Sequence, residues 1–204
     1  MIKRIAALYV HPNGPYYGYE QIDPWGLPYL DAREYIGPYP VIVHPPCKRW
    51  GKYWFGGPTS KVRYKLGSDD GCFKHALWAV RKFGGVLEHP EGSKAWEYFG
   101  LIKPKRYSSW IKSDAFGYSC YVEQCNYGHK ARKPTWLYVV NTTLLFVNNS
   151  QGTFTHAIDN YYYYKKYGLQ KLELLSKFDR EATPNLFFNL LLSLAQSCYE
   201  NEGL

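Results

Sequence analysis

Short apolar runs, separated by turns rich in glycine and proline, recur along the chain. They lie at residues 5–10, 41–43, 85–87, 118–126 and 134–140, and β-branched and aromatic residues are frequent in them. Runs of this length and composition predict short, buried strands. Ile22 and Asp23 end a further, very short strand, and the last two runs resemble a hairpin with Gly128 available for a positive φ.

Two segments follow a helical period instead. Within residues 72–85, Phe73, Leu77 and Val80, together with Trp78, recur on one helical face, and two glycines then end the helix. The acidic pair at 69–70 precedes its start, as caps or as partners of the helix dipole. A shorter helix is predicted for residues 93–99.

The C-terminal part of the chain predicts two more helices. One begins near residue 169, the sequence DREATP interrupts it, and a terminal helix follows. Thr183 is predicted to cap this last helix, and Pro184 fits its first turn. The tyrosine run at 161–164 is compatible with either a surface stack or the edge of the core.

Alternation of strands and helices predicts an α/β fold in one domain, residues 1–204. Residues 1–140 form the sheet region, 141–178 an insertion without a clear pattern, and 179–204 a terminal helix that packs back on the sheet. In open α/β sheets the site lies beyond the carboxyl ends of the strands.

Charge and composition favour a polyanionic partner. The formal net charge is +8, the isoelectric point is about 9.1, and aromatic residues make up 19% of the chain. Basic residues attract phosphates and aromatic rings stack on bases, so nucleic acid is the first expectation, against a merely basic protein. Five scattered cysteines and no signal-like or membrane-spanning stretch favour reduced thiols in the cytoplasm. We expect a monomer or a small homo-oligomer with no membrane partner.

The sequence HPPC at 44–47 places a thiol directly after the predicted strand at 41–43. Two consecutive prolines make the turn stiff, as a fixed nucleophile requires. The neighbouring His44, Lys48 and Arg49 are expected to lower the pKa of Cys47. The alternative is a small apolar residue that fills space beneath a loop.

Glu88 follows another short apolar run and also lies near a proline. A thiolate and a carboxylic acid together suit addition to an electron-poor ring, where the acid hydrogen-bonds the ring nitrogen that gains charge. A nearby cation would stabilise the same charge. Cys47, Glu88 and the loop at 127–133 are therefore expected to share one crevice.

Three sequences in this order resemble motifs of the DNA cytosine carbon-5 methyltransferases, in a compact, phage-type form. They are HPPC at 44–47, LEHP at 87–90 and YGHKARKPTWLYVV at 127–140, and they cover about half of the chain. The resemblance implies a Rossmann-like, methyltransferase-type sheet flanked by helices, with a truncated N-terminal half and no separate target-recognition domain. It also implies DNA modification, with restriction evasion as a context.

The resemblance implies roles for particular residues. Cys47 would add to carbon 6 of a pyrimidine, and Glu88 would contact ring nitrogen 3 and the exocyclic amine. The family's two arginines fall on Lys133 and Thr135, and its glutamine on Ala131, so Arg132 or Lys130 would take over the lost charge. The remaining substrate-binding residues would be Pro45, Pro46, Lys48, Arg49, Trp50 and His129.

The same resemblance implies S-adenosylmethionine as cofactor. Gly14, Pro15 and Tyr16 would be the remnant of a glycine loop, Asp23 the ribose-binding acid and Asp31 the adenine contact. The chain departs from the family here, because residues 5–26 leave no room for a helix between the first two strands. The basic aromatic loops 48–66 and 103–112 would bind the nucleic acid, with Trp50, Tyr53 and Trp54 as candidates to assist base extrusion.

Other interpretations stay open. Cys72 and His75, or Cys120, Cys125 and His129, have spacings that a structural zinc site could use, although we expect no metal. A pyrimidine hypermodification enzyme with a different donor would keep Cys47 and Glu88. A catalytically inactive relative that binds nucleic acid and masks restriction sites would need neither.

Overall fold

A computed structural model describes residues 3–158 and 172–201 of the chain. Seven strands form one sheet, and two form a small second sheet. The strands are β1 Ile5–Leu8, β2 Ile22–Trp25, β3 Val41–Val43, β4 Gly85–Pro90, β5 Ile111–Lys112, β6 Tyr118–Glu123, β7 Pro134–Val140, β8 His156–Ala157 and β9 Glu173–Leu174. The α-helices are α1 Cys72–Phe83, α2 Lys94–Tyr98, α3 Lys177–Glu181, α4 Asn185–Gln196 and α5 Cys198–Asn201. Short 3₁₀ helices span Pro15–Gly18, Ala32–Glu34 and Gln124–Tyr127.

The order of strands in the large sheet is β2-β1-β3-β4-β7-β6-β5. The first four are parallel, whereas β7 runs antiparallel to both β4 and β6. The chain leaves β1 toward β2 on one side and returns to β3 on the other. A reversal of this kind opens a crevice beyond the carboxyl ends of β1 and β3.

Helices cover both faces of this sheet, which explains why its central strands read as continuous apolar runs. All of β1 and β3 is buried. Val41 and Val43 belong to the core cluster beneath α1, while Ile42 between them belongs to the cluster beneath α4. The result is a mixed α/β architecture compatible with a Rossmann-like fold.

The helix predicted at residues 72–85 is present as α1. Asp69 accepts hydrogen bonds from the backbone of Gly71 and Phe73 at its start, and Gly84, with φ 77°, ends it. Phe73, Leu77 and Val80 are buried as expected. The assignment of Trp78 to the same face was wrong: its side chain is 43% exposed, because its position points away from the sheet.

The C-terminal prediction was wrong in two details. Residues 173–174 form β9 rather than the first turns of a helix, and α3 begins only at Lys177. Pro184, not Thr183, holds the N-cap position of α4, and no side chain caps that helix. The tyrosine run at 161–164 lies outside the described residues.

The strand predicted at 134–140 is confirmed as β7, and the one predicted at 118–126 is present as β6 but ends at Glu123, because residues 124–127 turn into a 3₁₀ helix. Gly128 in their connection has φ 95°. The helix α4 packs against β1, β3 and β4, so this terminal segment does return to the sheet. Among the described residues, no helix has both the length and the apolar character needed to cross a bilayer.

We expect Leu191→Ala to lower the free energy of unfolding by about 2–5 kcal/mol, since it would leave a cavity in the core beneath α4. Leu191 is fully buried, whereas Leu186 on the same helix is 60% exposed. Leu186→Ala is therefore the matched control, with a change within about 0.5 kcal/mol. Chemical denaturation of both variants measures the difference, and equal losses would contradict the packing described above.

Candidate active site

Strand direction brings three of the predicted residues to one edge of the sheet. Cys47 follows the carboxyl end of β3, and Glu88 lies in the second half of β4. Lys133 directly precedes β7, and because β7 is antiparallel its start meets the carboxyl ends of its neighbours. Cys47, Glu88 and Lys133 are close enough to influence one another electrostatically.

The turn after β3 presents the thiol to solvent. Pro45 is buried and Pro46 exposed, and the carbonyl of Cys47 accepts hydrogen bonds of 3.0 Å from the backbone of both Trp50 and Gly51. This closes a tight turn beyond the two prolines. Cys47 is exposed as a residue, although protein surrounds part of its sulfur, so it does not simply fill space beneath a loop.

The prediction that neighbouring cations lower the pKa of Cys47 was wrong. Protein around the sulfur, followed by the carboxylate of Glu88, raises the pKa of the thiol above its usual value, and Lys133 only opposes this. His44 is engaged with Glu88 rather than with the thiol. The Arg49 guanidinium stacks over the Tyr64 ring at 3.3 Å. The resting form of Cys47 at neutral pH is therefore mainly the thiol.

Glu88 is a largely buried carboxylate with a partner on each oxygen. Its Oε2 lies 2.9 Å from Nδ1 of His44, and its Oε1 accepts a hydrogen bond of 3.2 Å from Nε2 of Gln124. Burial alone would raise the pKa of Glu88, but His44 and Lys133 hold it below the usual value. The side chain is 14% exposed, so it is not fully sealed from solvent.

Lys133 is a half-buried cation fixed from the C-terminal side. Its Nζ donates a hydrogen bond of 3.0 Å to the carbonyl of Ala182. Burial lowers the pKa of Lys133, while Glu88 and Cys47 oppose that effect. Its backbone has φ 39°, in the left-handed region that costs energy for a residue with a side chain. A strained, tethered lysine beside a thiol and a carboxylate is placed to stabilise negative charge.

The structure does not bring Arg132 into this crevice. Its guanidinium is buried against Glu123 and contacts the Tyr107 hydroxyl at 2.6 Å. Buried charges are retained when they are paired in this way, so the charge of Arg132 is used by Glu123 and is not directed at the crevice. His129 is also used within the fold. It is 6% exposed, and its two ring nitrogens contact the backbone carbonyls of Ala131 and Asp179.

Trp50 is likewise a core residue rather than a contact for a base. It is 2% exposed, its indole donates a hydrogen bond of 2.7 Å to Asp69, and its ring packs on Phe73 and Phe99. The pattern of an aromatic residue among basic ones did not distinguish it from Tyr53, which is 45% exposed.

The two basic loops differ in available charge. In loop 48–66 the lysines 48, 52 and 61 are exposed, and no described carboxylate lies within salt-bridge distance of them. In loop 103–112, Lys103 pairs with Glu97 and Arg106 with Glu91, which leaves only Lys105 and Lys112 exposed without a described carboxylate in salt-bridge distance. Loop 48–66, which begins beside Cys47, is therefore the stronger candidate for binding phosphates.

The residues predicted to bind the cofactor make contacts with other residues of the chain. Tyr16 is 2% exposed and hydrogen-bonds His44, the Asp23 carboxylate accepts from the Trp25 indole at 2.9 Å, and Asp31 pairs with Arg33. Gly14 and Pro15 begin the 3₁₀ turn, and a Cβ on Gly14 would lie 3.0 Å from the His11 carbonyl. Tyr16, Asp23 and Asp31 thus have intramolecular partners that a bound nucleotide would have to replace. S-adenosylmethionine stays a prediction from the resemblance.

The zinc alternative gains no geometric support. No group of three or more potential metal ligands occurs among the described residues. His75 instead contacts the Tyr9 hydroxyl and the Tyr35 carbonyl, at 3.2 and 3.1 Å.

One participant was missed from the sequence, and another was assigned the wrong partner. Gln124 follows the carboxyl end of β6 and bridges Glu88 to Thr135, 3.0 Å away. Its place near the end of the strand predicted at 118–126 was the available signal. His44 was expected to act on Cys47, but it joins Tyr16 to Glu88 instead.

No family model, curated protein or solved structure matches the chain, so the comparisons assign it to no family.

Charge substitutions at the site should move the pKa of Cys47 in opposite directions. Glu88→Gln removes a carboxylate that disfavours the thiolate, so the pKa of Cys47 falls; Lys133→Met removes a favourable cation, so it rises. Rates of alkylation by iodoacetamide against pH, resolved by peptide mass spectrometry, measure both shifts. Cys72, whose pKa is raised to about 11 by burial and nearby acids, serves as the internal control. Shifts of the same sign in both variants would contradict the arrangement.

Proposed function

We propose that this chain is an enzyme that modifies a pyrimidine base of nucleic acid, with Cys47 as covalent nucleophile. One observation carries the proposal: an exposed thiol, a buried carboxylate and a tethered lysine share the crevice beyond β3, β4 and β7. The three motifs that resemble cytosine carbon-5 methyltransferases contribute these same three residues. DNA is the first expected substrate.

The reaction begins when Cys47 loses its proton and the thiolate adds to carbon 6 of the ring. The electron pair of the carbon 5–carbon 6 double bond moves toward carbon 4 and ring nitrogen 3, which gains a proton. Glu88 contacts ring nitrogen 3 and the exocyclic amine of the bound base, and Lys133 balances the negative charge that develops on the ring. Carbon 5 is now nucleophilic and takes up an electrophile. Loss of the carbon 5 proton then expels the thiolate.

A polynucleotide substrate is supported by the position of loop 48–66. Its cations continue directly from the nucleophile, with Lys52 over the Tyr53 ring and Arg63 over the Phe55 ring. Such cations would bind the phosphates on either side of a base in the crevice. A base within a duplex would have to be extruded to reach Cys47.

A second candidate keeps the same pyrimidine site but uses another donor, as in base hypermodification. It is favoured by the engagement of Asp23 and Asp31 with neighbours in the chain. A third candidate, an inactive relative that masks restriction sites, would require binding alone.

Addition of Cys47 to carbon 6 can be measured without a donor of the group that carbon 5 would receive. When the enzyme is incubated with an oligodeoxynucleotide in heavy water, carbon 5 of cytosine should exchange its hydrogen for deuterium, because the adduct is protonated from solvent before elimination. Nucleoside mass spectrometry reads the exchange. Cys47→Ser should abolish it, whereas Cys72→Ser, which changes a free cysteine elsewhere, should retain it.

The outcomes separate the candidates. Exchange that is unaffected by Cys47→Ser would overturn the proposed mechanism. Exchange in the wild type with no incorporation of label from S-adenosylmethionine favours a different donor. DNA binding that survives Cys47→Ser, without exchange in the wild type, favours the inactive relative.

Binding of single-stranded DNA should weaken with salt, and loop 48–66 should contribute to the slope. Combined Lys52→Gln and Lys61→Gln substitutions should reduce the slope of log affinity against log salt by about 0.7 for each phosphate that the variant no longer neutralises. Lys103→Gln is the matched control, because Lys103 already pairs with Glu97. Fluorescence anisotropy at several salt concentrations measures the slopes, and equal effects in the two loops would argue against this binding surface.

A further inference from the structure

We propose that His44, oriented by Tyr16, is a positioning residue that keeps a proton available to Glu88 for delivery to the ring nitrogen. This inference rests on the proposed function of the same crevice and adds a proton source to it.

A continuous chain of hydrogen bonds carries the inference. The Tyr16 hydroxyl lies 2.6 Å from Nε2 of His44, and Nδ1 of His44 lies 2.9 Å from Oε2 of Glu88. The side chains of His44 and Glu88 are 15% and 14% exposed, and Tyr16 is 2% exposed. The three residues come from the turn after β1, the end of β3 and β4. The order of these strands therefore brings them together at the crevice beyond the carboxyl ends of β1 and β3.

Glu88 and Tyr16 together select the tautomer of the imidazole. The pKa of Glu88 lies below its usual value, so the carboxylate is ionised and can only accept, and Nδ1 of His44 donates to it. Burial, followed by the Glu88 carboxylate, raises the pKa of Tyr16 well above its usual value, so the phenol keeps its proton and can donate to Nε2 of the neutral imidazole. Thr183 faces the same hydroxyl from the C-terminal segment.

A neutral His44 beside an ionised Glu88 cannot by itself complete the addition of Cys47 to the ring. An ionised Glu88 accepts a hydrogen bond from an exocyclic amine but has no proton to give to ring nitrogen 3. One additional proton on the His44–Glu88 pair makes it an acid. With this proton His44 is an imidazolium that carries a proton on each nitrogen, and the Tyr16 hydroxyl accepts from Nε2. The Nδ1 proton then passes through the carboxyl group of Glu88 to ring nitrogen 3, and His44 is left neutral with its proton on Nε2. Elimination reverses the transfer, so no proton is gained or lost over the cycle.

The charged groups around the pair set how easily it holds this proton. Lys133 ahead of β7 disfavours a second positive charge, while Glu181 of α3 lies near Lys133 and Cys47 and partly compensates. His89 on β4 is neutral, because burial lowers its pKa to about 4. Cys47 adds negative charge only as the thiolate, and Gln124 contributes a neutral amide to Oε1.

The pH dependence of carbon 5 exchange tests the proton source. In the wild type the rate rises with pH as thiolate forms, then levels off once the pair loses its additional proton, because the two changes cancel. In His44→Asn the levelling-off should move to lower pH, since Glu88 alone holds a proton less readily. The rate on the plateau should fall about 100-fold, a usual contribution of general acid catalysis, with little change in KM. His156→Asn, outside the crevice, should leave the profile unchanged.

A rate reduction in His44→Asn that is uniform in pH would overturn the inference, because a purely structural histidine affects all protonation states alike. Tyr16→Phe should keep the imidazole but lose the contribution of Tyr16 to the tautomer selection, with a smaller fall in rate.

Nitrogen-15 NMR of the imidazole provides a reading without substrate. Correlation spectra of the free protein should show the Nδ1–H tautomer for His44, and Tyr16→Phe should reduce its population. An Nε2–H tautomer in the wild type would overturn the relay even if Cys47-dependent exchange is observed. Absence of exchange in the wild type would overturn both the proposed function and the delivery step, whatever the tautomer.

Discussion

The buried carboxylate of Glu88 is the constraint on which the crevice depends. A charge removed from water is costly unless hydrogen bonds and opposite charge surround it. His44 and Gln124 occupy its two oxygens, and Lys133 lies within electrostatic reach. Because these partners come from the end of β3, the end of β6 and the start of β7, satisfying one carboxylate fixes the relative positions of three chain segments.

The local sequence pattern was sufficient to predict most of the strands and helices that support the crevice. The β-branched run at 41–43, the 3.6-residue period of α1 and the glycine at 128 each have a local physical cause, and each prediction was confirmed. The convergence of Cys47, Glu88 and Lys133 could be anticipated because strand ends meet at one edge of a sheet. The two-residue β5 carried no such pattern.

The details of the site could not be read in the same way, because they depend on pairings between distant residues. Whether His44 acts on Cys47 or on Glu88 is decided by the approach of Tyr16, which lies 28 residues away in the chain. Trp50 and Tyr53 look alike in sequence, yet the hydrogen bond to Asp69 draws only the former into the core. Arg132 and Lys133 are adjacent, but Glu123 takes one of them out of the crevice.

Two interactions from the C-terminal segment complete the crevice. The carbonyl of Ala182 holds Lys133, and Thr183 faces Tyr16 near the start of the chain. During synthesis on the ribosome, Cys47 and Glu88 emerge well before this segment does. The thiol is therefore present in a nascent chain whose lysine and tyrosine are not yet in place, and the crevice is complete only when the segment that carries Ala182 and Thr183 has folded onto the sheet.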